Sequence, residues 1–291
     1  MVELELPKLG VAGSNPVARS IFYWKSKNEN RHMWELIIND QPLKGSLNMA
    51  IDEFMFLLIK KEKKTILRFY QWEKPTASLG YFQKVNEVVN LDYLKEKKFD
   101  LVRRVTGGKL VLHDKEITYS IASSEVEVFT NSLKNSYQLI SQALCLGFSK
   151  MGINARLASR KISSYLSKSL PCFSYPGQDE IKVNGKKLVG SAQKREGNYF
   201  LQHGSIPIES DYEILRKLTP ESAPQFGKNM TSLKEILGRD ISFSEVISCL
   251  VQGFKEFFQI EFKNKIFNEQ EREEILTLQK KYESPSWNFK F

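Results

Sequence analysis

Arg103-Arg104-Val105-Thr106-Gly107-Gly108-Lys109-Leu110-Val111-Leu112-His113-Asp114 is the stretch on which the reading of this chain turns. Strand-like residues, Leu101 to Val105 and Leu110 to His113, flank a glycine pair, with Ile117 to Ala122 a third strand beyond. Glycines at such a bend let backbone N–H groups come close to a ligand. Two arginines and a lysine beside them can hold phosphate or carboxylate. The lysine follows the glycines directly, so this is neither a Walker loop nor a dinucleotide fingerprint. Taken alone, the stretch is equally a basic hairpin with an exposed turn.

Upstream, Trp34 to Ile38 reads as a strand, and Gly45-Ser46 opens a helix with Ser46 as its expected N-cap. Met49, Phe54, Leu57 and Leu58 give that helix an apolar face. Thr65 to Trp72 alternates as a strand, Pro75 to Gly80 reads as a turn, and Val88 to Lys97 as one short helix. Downstream, Tyr137, Ile140, Leu144, Phe148 and Met151 mark an amphipathic helix. Residues 155–170 are basic and serine-rich and read as a mobile loop. Glu180 to Val183, Lys187 to Ala192 and Tyr199 to Ile208 read as a meander, with Asn184-Gly185 and Arg195-Glu196-Gly197-Asn198 as its turns. Tyr212 to Leu218 is helical, and from Thr231 onward the pattern is mostly helix. The class is α+β, a mixed sheet flanked by helices with a small C-terminal helical region. The expected divisions are 1–32, 33–225 and 226–291. Residues 1–32 have no clear periodicity, and Gly13-Ser14-Asn15-Pro16 matches what a transfer-RNA T-arm gene would encode. The expectation is an early start, with Met33 the true first residue; an ordinary N-terminal arm is the alternative.

Composition narrows the class. The 291 residues are 41% hydrophobic and 12% aromatic, which excludes a disordered chain. The longest apolar run, Phe54 to Ile59, is far short of a spanning helix, and Glu3 and Glu5 interrupt any secretory signal. Three cysteines, Cys145, Cys172 and Cys249, make no disulfide framework, so a reducing, cytoplasmic setting is expected. Three histidines, His32, His113 and His203, show no zinc spacing with them. The formal charge of +9 allows nucleic acid, an anionic surface or an acidic protein as partner. No nucleic-acid-binding signature is present, so neither nucleic acid nor a membrane is expected as partner.

Two more segments carry chemistry. Pro171-Cys172-Phe173-Ser174-Tyr175-Pro176-Gly177-Gln178-Asp179 puts a thiol in a loop after a basic tract, where cations favour the thiolate. Cys145 and Cys249 lie beside apolar helix positions and read as small buried side chains. Gly185-Lys186-Lys187-Leu188-Val189-Gly190-Ser191-Ala192-Gln193 is followed by Gln202-His203-Gly204-Ser205. Alternation groups Lys187, Val189 and Ser191 on one face, where an inward lysine can bind an anion or a carbonyl oxygen. Solvated lysines at a hairpin are the ordinary outcome, and His203 is either a general base or a satisfied core histidine.

In order, these segments resemble the lipoate-protein ligase and octanoyltransferase family, whose catalytic fold is shared with biotin-protein ligases. The helix Leu47-Asn48-Met49-Ala50-Ile51-Asp52-Glu53 and the run Ser78-Leu79-Gly80-Tyr81-Phe82-Gln83 belong to the same pattern. The resemblance runs from Lys44 to about residue 210, and the tail Ser286-Trp287-Asn288 is similar to family tails. ATP-using ligases typically carry a third glycine and an alanine after the pair; Lys109-Leu110 stands there instead. With Cys172-Phe173 ahead of the lysine strand, the chain looks most like the LipM-type octanoyltransferase branch. Leu110 departs from that branch's usual alanine, which bears on the acyl pocket.

The resemblance implies that Cys172 takes octanoate from octanoyl-acyl carrier protein as a thioester. A lysine of the glycine-cleavage H protein or another lipoyl domain then receives it. Lys187 would lower the cysteine pKa and hold the acyl carbonyl. Arg103, Arg104, Thr106, Gly107 and Gly108 would line the acyl pocket, or hold an adenylate phosphate in a ligase. Gly190, Ser191, Ala192 and Gly204 would contact substrate, with His113 and His203 in supporting or proton-handling roles. No cofactor or metal is required on this reading; ATP and magnesium enter only in the ligase alternative. A non-catalytic lipoyl-domain-binding member is the third alternative.

Overall fold

The computed structural model of the chain describes residues 32–130, 132–157, 180–220 and 229–291. Met33–Phe291 form one compact unit. The segment carrying Cys172, most of the expected 155–170 loop, and Pro224 and Gly227 lie outside the described residues.

Strand β1 (Met33–Ile38) runs parallel to β2 (Thr65–Tyr70), and helix α1 (Gly45–Lys61) makes the crossover between them. Ser46 is not the cap. Lys44 holds that position without a side-chain bond, and the Ser46 hydroxyl reaches Glu283 at 3.4 Å instead. The chain then builds a small sheet from β3 (Thr76–Leu79), β4 (Asp100–Arg103) and β5 (Val111–His113), with β3 in the middle. The expected turn at Pro75–Gly80 is therefore a fully buried central strand. Its short Thr-Ala-Ser-Leu run has no period to read, and pairing with two neighbours decides it. The expected helix at 88–97 is two, α2 (Val85–Val88) and α3 (Leu91–Glu96). They break at Asn90, whose side chain accepts from Tyr93 N and caps the second.

β6 (Glu116–Ser123) returns antiparallel to β2, and α4 (Val126–Phe129) and α5 (Leu133–Ser149) follow. A second small sheet joins β7 (Arg156–Leu157), β8 (Ile181–Val183) and β9 (Lys186–Lys187). Asn184 and Gly185 take φ of 50° and 79°, the left-handed pair a two-residue hairpin needs. The expected strand Lys187–Ala192 is divided. β9 ends at Lys187, and β10 (Gly190–Glu196) begins in the main sheet, with Leu188 and Val189 buried between. Alternation from Lys187 to Ser191 therefore does not hold, because the chain changes sheets there. β10 pairs with β11 (Tyr199–Pro207), and β11 with β6.

After α6 (Tyr212–Leu218), α7 (Leu233–Leu237) and α8 (Phe243–Phe258) comes β12 (Glu261–Asn264), parallel to β1. It completes the main sheet in the order β10-β11-β6-β2-β1-β12. The stretch 226–291 thus supplies an edge strand of the main sheet as well as helices. Glu-Phe-Lys-Asn carries no hydrophobic run to announce a strand; it is half exposed at the edge. α9 (Glu269–Glu283) packs along α1, and α10 (Pro285–Asn288) ends the fold.

Alternate residues of β2 settle the layers. Phe69 meets Phe254 of α8, whereas Arg68 and Tyr70 meet Asp52 of α1. One face of the main sheet carries α5 and α8 around Trp34, Phe129 and Phe258. The other carries α1, which also touches β4 of the small sheet. The expected α+β class, a mixed sheet flanked by helices, is what the structure shows.

Candidate functional site

A narrow cleft opens among α1, β3, β5, β10 and β11. Met49, Tyr70, Trp72 and Val111 give it apolar walls. Of the residues expected to bind substrate, Arg104, His113 and His203 line it. Gly190, Ser191, Ala192 and Gly204 supply the β10–β11 wall. A Cβ on Gly204 would sit 2.4 Å from the Tyr119 ring and 2.5 Å from Ser191 Oγ, so only glycine fits that wall.

The glycine loop is held mainly by Arg104. Its Nη1 donates to Ser78 O at 2.7 Å and Ser78 Oγ at 3.0 Å, and its Nη2 to Lys109 O at 2.7 Å and Gly107 O at 3.0 Å. Gly108 has φ +90°, and a Cβ on facing Gly80 would lie 2.0 Å from Gly108 O. The loop backbone is therefore packed closely against the end of β3, and the guanidinium that shapes it is bonded to Ser78 and to its own loop.

Arg103 does not serve the cleft, contrary to the expectation. It is buried, and its guanidinium donates to the carbonyls of Gly80, Tyr81, Gln83 and Asn288. Asn288 Oδ1 accepts from Arg103 N at 2.8 Å, so the arginine fastens α10 to the end of β4. Gly107 and Gly108 are not among the lining residues, nor is Thr106, which acts through His203. Leu110 packs with Ala77, Leu79 and Leu218 on the far side of the small sheet, so the departure there leaves this cleft untouched.

Two hydroxyl–imidazole–carboxylate chains flank the cleft. In one, Thr106 Oγ1 lies 2.7 Å from His203 Nε2, and His203 Nδ1 lies 2.9 Å from Asp52 Oδ2. Asp52 also accepts from Arg68 Nη1 at 2.9 Å and Tyr70 OH at 2.9 Å. Burial pushes the Asp52 carboxyl up. The His203 hydrogen bond, the Arg68 charge and the Tyr70 hydroxyl outweigh it and hold the pKa below the ordinary aspartate value. Burial also lowers the His203 pKa, against the pull of Asp52. A neutral imidazole facing a carboxylate carries its proton on Nδ1, so Nε2 accepts from the Thr106 hydroxyl. In the other chain, His113 Nε2 lies 2.7 Å from Ser78 Oγ, and His113 Nδ1 lies 2.7 Å from Glu116 Oε1. Trp72 stacks on the His113 ring with centroids 3.9 Å apart.

Ser191 is steered from behind. Gln202 Nε2 donates to Tyr119 OH at 2.8 Å, and that phenol, 2.7 Å from Ser191 Oγ, is pushed by burial up to about 12 and stays protonated. Lys187 is 1% exposed. Its ammonium is 2.5 Å from Glu180 Oε1, and it is not a lining residue of the cleft. Cys172 lies outside the described residues. Cys145 and Cys249 are half-buried rather than fully buried; burial pushes the Cys145 thiol up to about 12 and raises Cys249 as well. Among the described residues no group of three or more His, Cys, Asp and Glu could hold a metal ion. Nor is any described helix long and apolar enough to cross a membrane.

Sequence reasoning missed Asp52, Ser78, Glu116 and Glu180. Asn48 and Asp52, four apart and set among Met49, Ala50, Ile51 and Phe54, were the available signal for a buried polar pair. Ser78 and Glu116 carry no such mark.

The lipoyl protein ligase A/B catalytic domain matches residues 44–255. An octanoyltransferase LipM of Bacillus anthracis is 37% identical over 270 residues, covering 87% of this chain and 97% of that protein. The LipM of Clostridioides difficile is 35% identical over 265 residues, covering 87% and 98%. Among solved structures, a lipoate-protein ligase A bound with ATP superposes with a TM-score of 0.76 at 25% identity, over 88% of this chain and 98% of that one. A bipartite lipoate protein ligase from Thermoplasma acidophilum gives 0.73 at 22% identity, over 89% and 96%, and shares the fold. The match spans α1, the glycine loop and the β10–β11 wall of the cleft, and the chain belongs to the lipoyl protein ligase A/B catalytic-domain family, as an acyltransferase.

Proposed function

We propose that this chain moves an octanoyl group from octanoyl-acyl carrier protein, through a thioester on Cys172, to a lysine of a lipoyl domain or the glycine-cleavage H protein. The observation that carries the reading is the 37% identity to an octanoyltransferase along 97% of that protein's length. The apolar side chains that line the cleft are of the kind an alkyl chain packs against.

The chemistry divides into two acyl transfers. The Cys172 thiolate attacks the donor carbonyl, and the carrier thiol leaves. The acceptor lysine amine attacks the acyl-enzyme, and the cysteine leaves. Lys187 favours the thiolate and the oxyanion that forms in each step. Glu180 Oε1, 2.5 Å away, holds its ammonium in place. The donor thioester is already activated, so this reading calls for no ATP, metal or other cofactor.

The test is transfer from octanoyl carrier protein to the H protein, with and without ATP, followed by intact mass. The expected result is ATP-independent transfer and an octanoyl adduct that neutral hydroxylamine removes and Cys172→Ala abolishes. An unchanged adduct in Cys172→Ala would falsify the cysteine route. Transfer of free lipoate that appears only with ATP would make the chain a ligase instead.

A further inference from the structure

Ser78, His113 and Glu116 have the arrangement of an activated nucleophile, and Ser78 and His113 line the cleft itself. Arg104 Nη1 can only donate, so Ser78 Oγ, at 3.0 Å, accepts from it. Ser78 Oγ also lies 2.7 Å from His113 Nε2, and His113 Nδ1 lies 2.7 Å from Glu116 Oε1. Trp72 holds the imidazole flat, its ring plane only 14° from that of His113. Thr118 Oγ1, itself accepting from Trp72 Nε1 at 2.8 Å, donates to Glu116 and fixes the carboxylate. A serine hydroxyl, an imidazole within reach of it as base and a carboxylate orienting that imidazole are parts of nucleophilic acyl transfer. The Thr106–His203–Asp52 chain has the same pattern, but Thr106 does not line the cleft, and Asp52 is shared with Arg68 and Tyr70.

We propose that Ser78 is a second acyl-accepting nucleophile in this cleft, with His113 as its base and Glu116 as the residue that orients the base, giving a Cys172-independent hydrolysis of octanoyl thioesters and esters. This rests on the reading that the cleft takes an octanoyl group. In the first step Ser78 Oγ bonds to the acyl carbonyl carbon and its proton passes to His113 Nε2. The carbon–sulfur bond breaks, and the thiolate leaves as thiol with that proton. In the second step water attacks the serine ester, His113 takes the water proton, and Ser78 Oγ leaves with it. The net reaction is thioester plus water to octanoic acid plus thiol, with no change of oxidation state.

The experiment uses the full chain carrying Cys172→Ala, with octanoyl carrier protein and with p-nitrophenyl octanoate. The expected result is an octanoyl adduct that resists neutral hydroxylamine, maps to the Ser78 peptide, and accompanies slow p-nitrophenol release. Adding Ser78→Ala should lower that release roughly 100-fold or more, the lower end of what positioned proton transfer contributes. Ser78→Cys in the same background should turn the adduct hydroxylamine-labile at position 78, a change that a merely structural serine would not produce. The proposal fails if Cys172→Ala gives no adduct and no release above buffer. It also fails if the adduct maps elsewhere, or if a folded Ser78→Ala chain keeps its rate. A Cys172 thioester in the native chain without any Ser78 ester overturns this inference alone. A Ser78 ester without any Cys172 thioester overturns only the transfer reading.

Discussion

At the scale of single residues, His203 sets the acid limit of the fold. Its pKa is lowered by burial, so below about pH 6.5, the ordinary histidine value, the unfolded chain binds a proton that the folded chain resists. The stabilisation is complete above that pH and is lost as the pH falls through the folded value. Asp52 adds a second loss further down, since its pKa is held below the ordinary value and protonation removes its bonds to His203, Arg68 and Tyr70. His203→Gln should flatten the first limb while leaving the second. Urea unfolding at several pH values between about 5 and 8 checks it, and an unchanged slope in the variant rejects the assignment. His203 was legible as a candidate because it follows Gln202 in a family motif. Its partners were not, because Thr106 and Asp52 stand 97 and 151 residues away in sequence.

At the scale of elements, the face opposite the cleft depends on two glycines. Helices α5 and α8 cross at Gly147 and Gly253, and a Cβ on Gly253 would lie 2.4 Å from Gly147 N and 2.7 Å from Ala143 O. These are backbone atoms, so relief requires the helices to separate. Gly253→Ala gains up to ~1 kcal/mol of helix propensity, but overpacking of this kind costs about 1–3 kcal/mol. The steric loss wins, and the melting temperature should fall by a few degrees; calorimetry with no fall or a rise contradicts the close crossing. The helices themselves were legible from their apolar period, as α8 shows with Val246, Leu250 and Phe254. Their crossing point was not, because a glycine inside a helix reads locally only as a weak former. β3 and β12 were missed for a related reason: four-residue strands have too few positions to display a period.

At the scale of the whole molecule, the proposed reaction gives the formal charge of +9 a role, since a basic chain would favour encounter with acidic carrier and lipoyl domains. Between about 0.1 and 1 M salt the Debye length shrinks from ~10 Å to ~3 Å. Transfer from carrier protein should lose kcat/KM severalfold over that range, through KM, while hydrolysis of neutral p-nitrophenyl octanoate holds steady. Equal salt sensitivity of both substrates would place the effect in the fold rather than the encounter. The amino-acid sequence by itself determined the class, the main helices, the Asn184-Gly185 hairpin and the motif order that marks the family. All of these are written in contiguous residues, where period, turn preference and motif spacing are local properties. Only the tertiary structure decided that Arg103 fastens the C-terminal helix, that Lys187 leaves the strand alternation to meet Glu180, and that Ser78 meets His113 and Glu116 in the cleft. Those contacts join β3 to β5, β4 to α10 and β9 to the chain just before β8. Their energy comes from burying polar groups in pairs, and which pairs meet depends on how the sheets and helices pack.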